Sequence, residues 1–167
     1  MKTRPRKAAA GGHATLAVGS DERTHVTEFV VEDLRRRGFV LKLFGALVNG
    51  KDEWADASRQ MAETVANHQS QEGVLFCWTG TGSCIVANKV PGIRAALCTD
   101  AEAARGARKW NHANVLVMSL RLTSEAVAKE ILDAWFSTPY GKQAFDVRNV
   151  RKVAALEAKY ARRRARD

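Results

Sequence analysis

Short apolar runs alternate with helical periodicities along the chain. Residues 14–19 are an apolar run ending in Gly19-Ser20-Asp21, the pattern of a buried strand leaving into a turn. From Val26 to Arg37, Phe29, Val30, Asp33 and Leu34 fall in the i, i+3/i+4 rhythm of a helix that Gly38 stops. Residues 39–44 predict a second strand, 45–53 a loop and 54–68 a helix. Residues 74–78 are a third, strongly apolar strand, cut off by the glycine-rich turn at 79–82. A helix starts near Gly82 and runs toward Lys89. Residues 93–98, 101–109, 115–119 and 124–136 then predict strand, helix, strand and helix, with the Ser124 hydroxyl placed to cap the last. Pro139 and Gly141 break the chain before a long final helix over 147–166. Strands this apolar on both faces, separated by helices, predict a parallel sheet covered on each side. The fold class is therefore α/β, a three-layer α/β/α sandwich around a five-stranded, Rossmann-like parallel sheet.

Composition narrows the class further. A length of 167 residues suits one domain with short tails. No apolar run approaches the ~20 residues that span a bilayer, and no signal-type apolar segment follows the basic N-terminus, so a cytoplasmic protein is expected. The net charge of +9 is unevenly spread. Residues 1–7 carry four basic side chains and no acid, and residues 159–167 carry five against one acid, which leaves the body near neutral. The organisation is a basic tail at 1–13, a domain at 14–160 and a second basic tail at 161–167. Such tails are solvated ends that can touch anionic polymers weakly, and no zinc finger, basic zipper or aromatic–basic signature marks a nucleic-acid module. The three cysteines give no disulfide framework. His13, His25 and His68 have no companions at metal-ligand spacing and are expected at the surface.

Ligands of open α/β sheets sit at the carboxyl ends of the strands, so the strand exits hold the candidate chemistry. The sharpest signal is Cys77-Trp78-Thr79-Gly80-Thr81-Gly82-Ser83, between a buried strand and a helix. Glycines there let backbone amides approach an anion, and the helix start favours negative charge. A cysteine so placed is either a buried packing residue or a nucleophile or acid–base group. The stretch lacks both the G-x-G-x-x-G dinucleotide pattern and a Gly-Lys-Ser/Thr phosphate loop. Asp21, at the first strand exit, either caps the next helix or binds a substrate hydroxyl. Arg121 follows a buried strand and calls for an anionic partner. Arg148, Arg151 and Lys152 are compatible with a solvated helix face, and Cys84 and Cys98 with small core residues.

Three segments together carry a family resemblance: Cys77-Trp78-Thr79-Gly80-Thr81-Gly82, the run from Ala87 to Ala96 (Ala-Asn-Lys-Val-Pro-Gly-Ile-Arg-Ala-Ala), and Asn111-His112-Ala113-Asn114-Val115-Leu116. They resemble the type B ribose-5-phosphate isomerases, a family that includes the galactose-6-phosphate isomerase subunits. Gly19-Ser20-Asp21 and the run Arg148 to Val153 fit the same family in the same order. The resemblance covers about residues 14–160. It is most specific from Gly73 to Arg121 and loose over the first sixty residues. It implies an aldose–ketose isomerase of a small phosphorylated sugar, of the ribose 5-phosphate/ribulose 5-phosphate type, without metal or organic cofactor. It implies a homodimer or a dimer of dimers, whose last helix (about 147–160) crosses to the partner so that active sites are shared. Cys77 would be the base moving a proton between C1 and C2 through an enediolate. Amides around Gly80, Gly82 and Ser83 would stabilise the enediolate oxygen. Thr79 would orient the sugar or assist ring opening, Asp21 and Asn111 would bind substrate, and Arg121, Arg148 and Lys152 would bind phosphate. Lys152 stands where an arginine is usual, keeping the charge and losing the bidentate fork.

The departures bear on function. Asp21-Glu22 stands for the family's Asp-His, and Glu22 repels a phosphate dianion. Trp110 occupies the place of the ring-opening histidine, and an indole shuttles no proton at neutral pH; His112, two positions on, is the candidate replacement. Trp78 replaces a glycine, and Asp52-Glu53-Trp54 replaces Asp-Tyr-Pro. The two new tryptophans Trp110 and Trp78 and a lost histidine favour a smaller or differently shaped substrate, such as a tetrose phosphate, which closes no stable ring. The remaining alternative is a member that binds a sugar phosphate without turning it over.

Overall fold

The computed structural model describes residues 14–49 and 53–164; the N-terminal tail, Asp52 and the last residues of the C-terminal tail lie outside the described residues. Five strands, β1 (Thr15–Ser20), β2 (Val40–Gly45), β3 (Glu72–Cys77), β4 (Ala95–Leu97) and β5 (Val115–Ser119), form one sheet in the order β2-β1-β3-β5-β4. Every pairing is parallel. The seven helices among the described residues are α1 (His25–Arg36), α2 (Ala46–Asn49), α3 (Trp54–Ala66), α4 (Thr81–Ala87), α5 (Ala101–Asn111), α6 (Glu125–Ser137) and α7 (Ala144–Arg164).

The alternation of strand side chains explains the continuous apolar runs. Leu16, Val18, Val74, Phe76, Leu116 and Met118 face the layer made by α1, α5 and α6, where Trp135 is fully buried. Ala17, Leu75, Val115 and Val117 face the other layer, against Met61, Ala62 and Val65 of α3. The three central strands are thus buried on both faces. Of the edges, β2 alternates toward solvent, while β4 is covered by a side chain: Asn88 donates to the Ala95 carbonyl and accepts from the Ala95 amide, both at 2.9 Å.

Several elements depart from the expected boundaries. Residues 46–49 turn once as α2 instead of staying loop, because Ala46 and Leu47 are buried under the sheet end. The strand predicted at 93–98 shrinks to 95–97, since the Ile93 and Arg94 amides donate to the Val90 carbonyl and Asn114 Oδ1 instead of a ladder. Trp78 falls outside β3, and the final helix starts three residues early, at Ala144. Ser124 caps α6 as expected. Asp21 does not cap α1: Thr24 does, in a reciprocal capping box with Thr27. Cys98 is buried, Cys84 half-buried, and His25 and His68 are exposed.

A buried ion pair fastens the sheet's amino end. Arg108 of α5 is 3% exposed and meets Glu72, the first residue of β3, at 2.7 Å. Glu72 also accepts from Trp135 Nε1 at 2.7 Å. The guanidinium donates to the Ala113 carbonyl (2.8 Å) and lies 4.4 Å from the Tyr140 ring centre. Glu72→Ala strands this charge and is expected to cost roughly 3–5 kcal/mol in urea unfolding. The double replacement Arg108→Leu with Glu72→Leu is expected to cost less than Glu72→Ala alone. The opposite order would show that the pair itself, not the unpaired charge, carries the stability.

Candidate active site

The carboxyl ends of β1, β3 and β5 bring most of the expected residues together. Cys77 ends β3, is 8% exposed and stands level with Ser119 of β5. On its other side Ser20 pairs with Phe76, so Asp21 follows beside Cys77. The β3–β5 ladder continues past the strands: the Leu120 amide donates to the Cys77 carbonyl and the Arg121 amide to the Trp78 carbonyl, both at 3.0 Å. Ser119 Oγ adds a third bond to the Trp78 carbonyl at 2.9 Å. These bonds turn the Trp78 side chain outward, 51% exposed.

The chain can then reverse only through a left-handed residue. Gly80 adopts φ 78° as the N-cap of α4, and a β-carbon there would stand 2.5 Å from Leu97 Cδ1. No side chain among the described residues caps α4, and the amides of Thr81, Gly82 and Ser83 have no hydrogen-bond partner among them. Ser83 is 1% exposed, with its hydroxyl 2.7 Å from Ser58 Oγ. Thr79 is exposed, its hydroxyl 2.7 Å from that of Thr81. Asp21 is half-buried, and its Oδ1 is buried with no hydrogen-bond partner among the described residues. Such an oxygen costs free energy until a donor reaches it. Arg121 is exposed and in no ion pair among the described residues.

Asn111, His112, Arg148 and Lys152 lie elsewhere. Asn111 ends α5 and His112 caps it in the left-handed conformation (φ 50°), just before β5 begins. That is the amino end of the sheet, a strand length of roughly 13 Å from Cys77. His112 is held there: it stacks on Tyr140 at 4.8 Å, and Nε2 lies 2.9 Å from the Gly141 carbonyl, so Nε2 carries the proton it donates. Trp110, Asn111 and α7 residues Asn149, Val150 and Val153 line a groove of about 700 Å³ at this same end. Arg148 and Lys152 are exposed on α7 beside that groove. Glu157 pins the helix by accepting from the Gly92 amide at 3.0 Å.

Burial pushes the Cys98 thiol up to about 12, with the Asp100 and Cys84 charges adding to it, and burial raises Cys84 as well. Both stay protonated at neutral pH. No group of three His, Cys, Asp or Glu side chains assembles into a metal site among the described residues. No helix among them is long and apolar enough to cross a membrane.

Sequence reasoning gave two residues at this end no role. Ser58, in mid-helix, gives no signal in sequence; its role exists only because α3 packs on α4. Trp54, an exposed tryptophan at a helix start, lies with its ring face against Gly82. An arrangement of a buried thiol, unclaimed amides and an unpartnered carboxylate can hold a small polar molecule with developing negative charge.

Comparisons with known proteins place the chain in a family. The pattern that defines the Ribose/Galactose Isomerase family matches residues 16–156. D-erythrulose-4-phosphate isomerase of Pectobacterium atrosepticum is 34% identical over 128 residues, 75% of this chain and 84% of that protein. Ribose-5-phosphate isomerase B of Escherichia coli is 34% identical over 126 residues, 75% of this chain and 85% of that one. The solved structure of Clostridium thermocellum ribose-5-phosphate isomerase B superposes with a TM-score of 0.82 at 33% identity, over 87% of this chain and 99% of that one.

The glycine turn yields a graded expectation. Gly80 and Gly92 both have positive φ, but a β-carbon at Gly92 meets nothing within 4 Å. Both alanine variants carry the backbone strain of about 1–3 kcal/mol, and Gly80→Ala adds the Leu97 clash. Urea unfolding is expected to rank Gly80→Ala as the more costly. Equal costs would show that the turn relaxes around Leu97.

Proposed function

Because the chain belongs to the ribose/galactose isomerase family and is a sugar-phosphate isomerase, we propose that Cys77 is its base and that its substrate is a short, four-carbon sugar phosphate. The observation that carries the base is the Cys77 turn: a strand-end thiol beside unclaimed amides. The Cys77 thiolate takes the proton from C2 of the aldose, and the electron pair forms an enediolate whose charge rests on O1. The amides of Gly82 and Ser83 stabilise that charge, an effect worth several kcal/mol of barrier where donors are fixed in advance. The proton returns to C1 while the O2 proton passes to O1, giving the ketose with no net oxidation. Asp21 Oδ1 accepts from a substrate hydroxyl, and Thr79 orients the sugar.

The short chain is supported by Trp110. It occupies the position of the family's ring-opening histidine, and His112 is committed to Gly141 and Tyr140. A four-carbon 4-phosphate closes no stable ring and needs no such acid. The similarity to an erythrulose-4-phosphate isomerase supports the same choice. Ribose 5-phosphate is the second reading, favoured by the ribose-5-phosphate isomerases that share this fold and sequence.

Asn111 lies a strand length from Cys77, and Arg148 and Lys152 lie on α7, which lines the groove at that other end; in this reading a second copy of the chain supplies them to each site, with α7 crossing between subunits. Phosphate then rests on Arg121 of one subunit and on α7 of the other.

Two measurements test this. Incubation in D2O with four-, five- and six-carbon aldose and ketose phosphates is expected to place deuterium at C1 or C2, fastest for the four-carbon pair. Cys77→Ala is expected to slow that exchange by about 10²–10⁴. No exchange with any sugar from the folded protein would make it a binding protein instead. Separately, Cys77→Ala and Arg148→Ala, each inactive alone, are expected to recover up to about a quarter of wild-type turnover when unfolded and refolded together, since hybrid dimers hold one intact site. No recovery would mean that each chain completes its own site.

A further inference from the structure

The Cys77 end carries an aromatic side chain that the proton transfer does not use. Trp54 opens α3, and the face of its six-membered ring lies against Gly82, where a β-carbon would stand 3.0 Å from both Cε3 and Cζ3 and 3.5 Å from Cη2. The ring therefore covers the backbone of the very residue whose amide opens onto the turn. It is nevertheless 47% exposed, so it forms a wall over the start of α4 and is not a core residue.

The backbone that carries the wall is fixed from behind. The Trp54 carbonyl accepts from Ser58 Oγ at 2.6 Å, and Ser58 Oγ lies 2.7 Å from Ser83 Oγ. A serine has one proton to donate, so with Ser58 bonded to the carbonyl, Ser83 donates to Ser58. Ser58 and Ser83 are each 1% exposed, and this closed chain of two hydrogen bonds ties the first turn of α3 to the first turn of α4. Small-molecule sites are built this way, from rigid apolar walls around a few convergent polar groups.

Resting on the reading of this end as a sugar-phosphate isomerase site, we infer that Trp54 is a specificity-determining residue that limits the length of the sugar accepted at Cys77. The reacting carbons are held at the thiol and the amides, and the phosphate is held by cations at a fixed distance from them. A longer sugar must bow its additional carbon out of that line, and the space over Gly82 is filled by the indole. Discrimination of one carbon by an apolar wall is typically worth 10–200-fold.

The test compares wild type with Trp54→Ala, Trp54→Leu and Trp54→Phe in the full chain. Two ratios are read: kcat/KM for a five-carbon over a four-carbon sugar phosphate, and calorimetric affinity for 5-phosphoribonate over 4-phosphoerythronate, which cannot isomerise. Trp54→Ala is expected to raise both ratios about tenfold or more. Trp54→Leu, which keeps the helix start apolar, gives a smaller rise, and Trp54→Phe leaves both ratios within about threefold. Unchanged ratios, or equal losses for both sugars in a variant that melts like wild type, overturn the inference and leave the isomerase standing. Should wild type bind the phosphates but exchange no proton, the isomerase reading falls and the affinity ratio alone decides the role of Trp54. If it binds neither, both fall together.

Discussion

The seam between β3 and β5 governs the Cys77 end of this molecule. A parallel ladder normally stops where its strands stop, and this one continues, through the Leu120 and Arg121 amides onto the Cys77 and Trp78 carbonyls. Those bonds hold the chain flat for two residues past the thiol. The reversal into α4 must then be made at Gly80, in a left-handed conformation closed off by Leu97. The consequence is chemical. A helix that starts from a glycine has no side chain to cap it, and its first amides are left for something outside the protein. The thiol and the amides thus owe their relative position to backbone bonds.

The other end is fixed by a different kind of force. Arg108, Glu72 and Trp135 bury a charge pair where β3, α5 and α6 meet, and Tyr140 stacks over the guanidinium. An ion pair so deep contributes little net stability, but it admits one geometry. That geometry matters because the next residues along α5 are Trp110, Asn111 and His112, and the turn at Tyr140–Gly141 leads into α7. The stack of His112 on Tyr140 and its bond to Gly141 carry the rigidity outward to the helix bearing Arg148 and Lys152. Two stiff ends of one sheet suit the proposed sharing of a site between subunits.

Most of the architecture was legible in the sequence because both of its signals are local. Continuous apolar runs announced strands buried on two faces, and Gly38, Ser124 and Gly141 punctuated the chain where helices begin or end. The thiol turn was legible for the same reason: a strand, a cysteine and two glycines are adjacent in the chain. What escaped depends on contacts between distant elements. The one-turn helix at 46–49 exists because Ala46 and Leu47 are covered by the sheet end, not because of any pattern. Asp21 was an ambiguous cap until Thr24 and Thr27 were seen to satisfy each other, which freed it. Ser58 and Trp54 acquire meaning only from the packing of α3 on α4. The distance between His112 and Cys77 follows from strand direction, so the five-parallel-strand assignment already contained it.

Charge at the Cys77 end also orients a substrate. Asp21 and Glu22 leave β1 together, one half-buried and one exposed, beside the thiol. Two carboxylates there oppose a phosphate dianion, while Asp21 Oδ1, without a partner, favours a neutral hydroxyl donor. The unclaimed amides attract charge that develops during reaction and is small in the ground state. Only Arg121, across the seam from β1, offers a cation at this end free of ion pairs among the described residues. Under the proposed reading, the carbonyl end of the sugar therefore lies toward Cys77 and Asp21, and the phosphate points away from β1, toward Arg121 and the basic face of a partner's α7. Replacing a histidine by Glu22 reinforces that polarity. The substitution that looks most damaging for phosphate binding instead excludes the reversed orientation, in which the phosphate would occupy the amides and block the thiol.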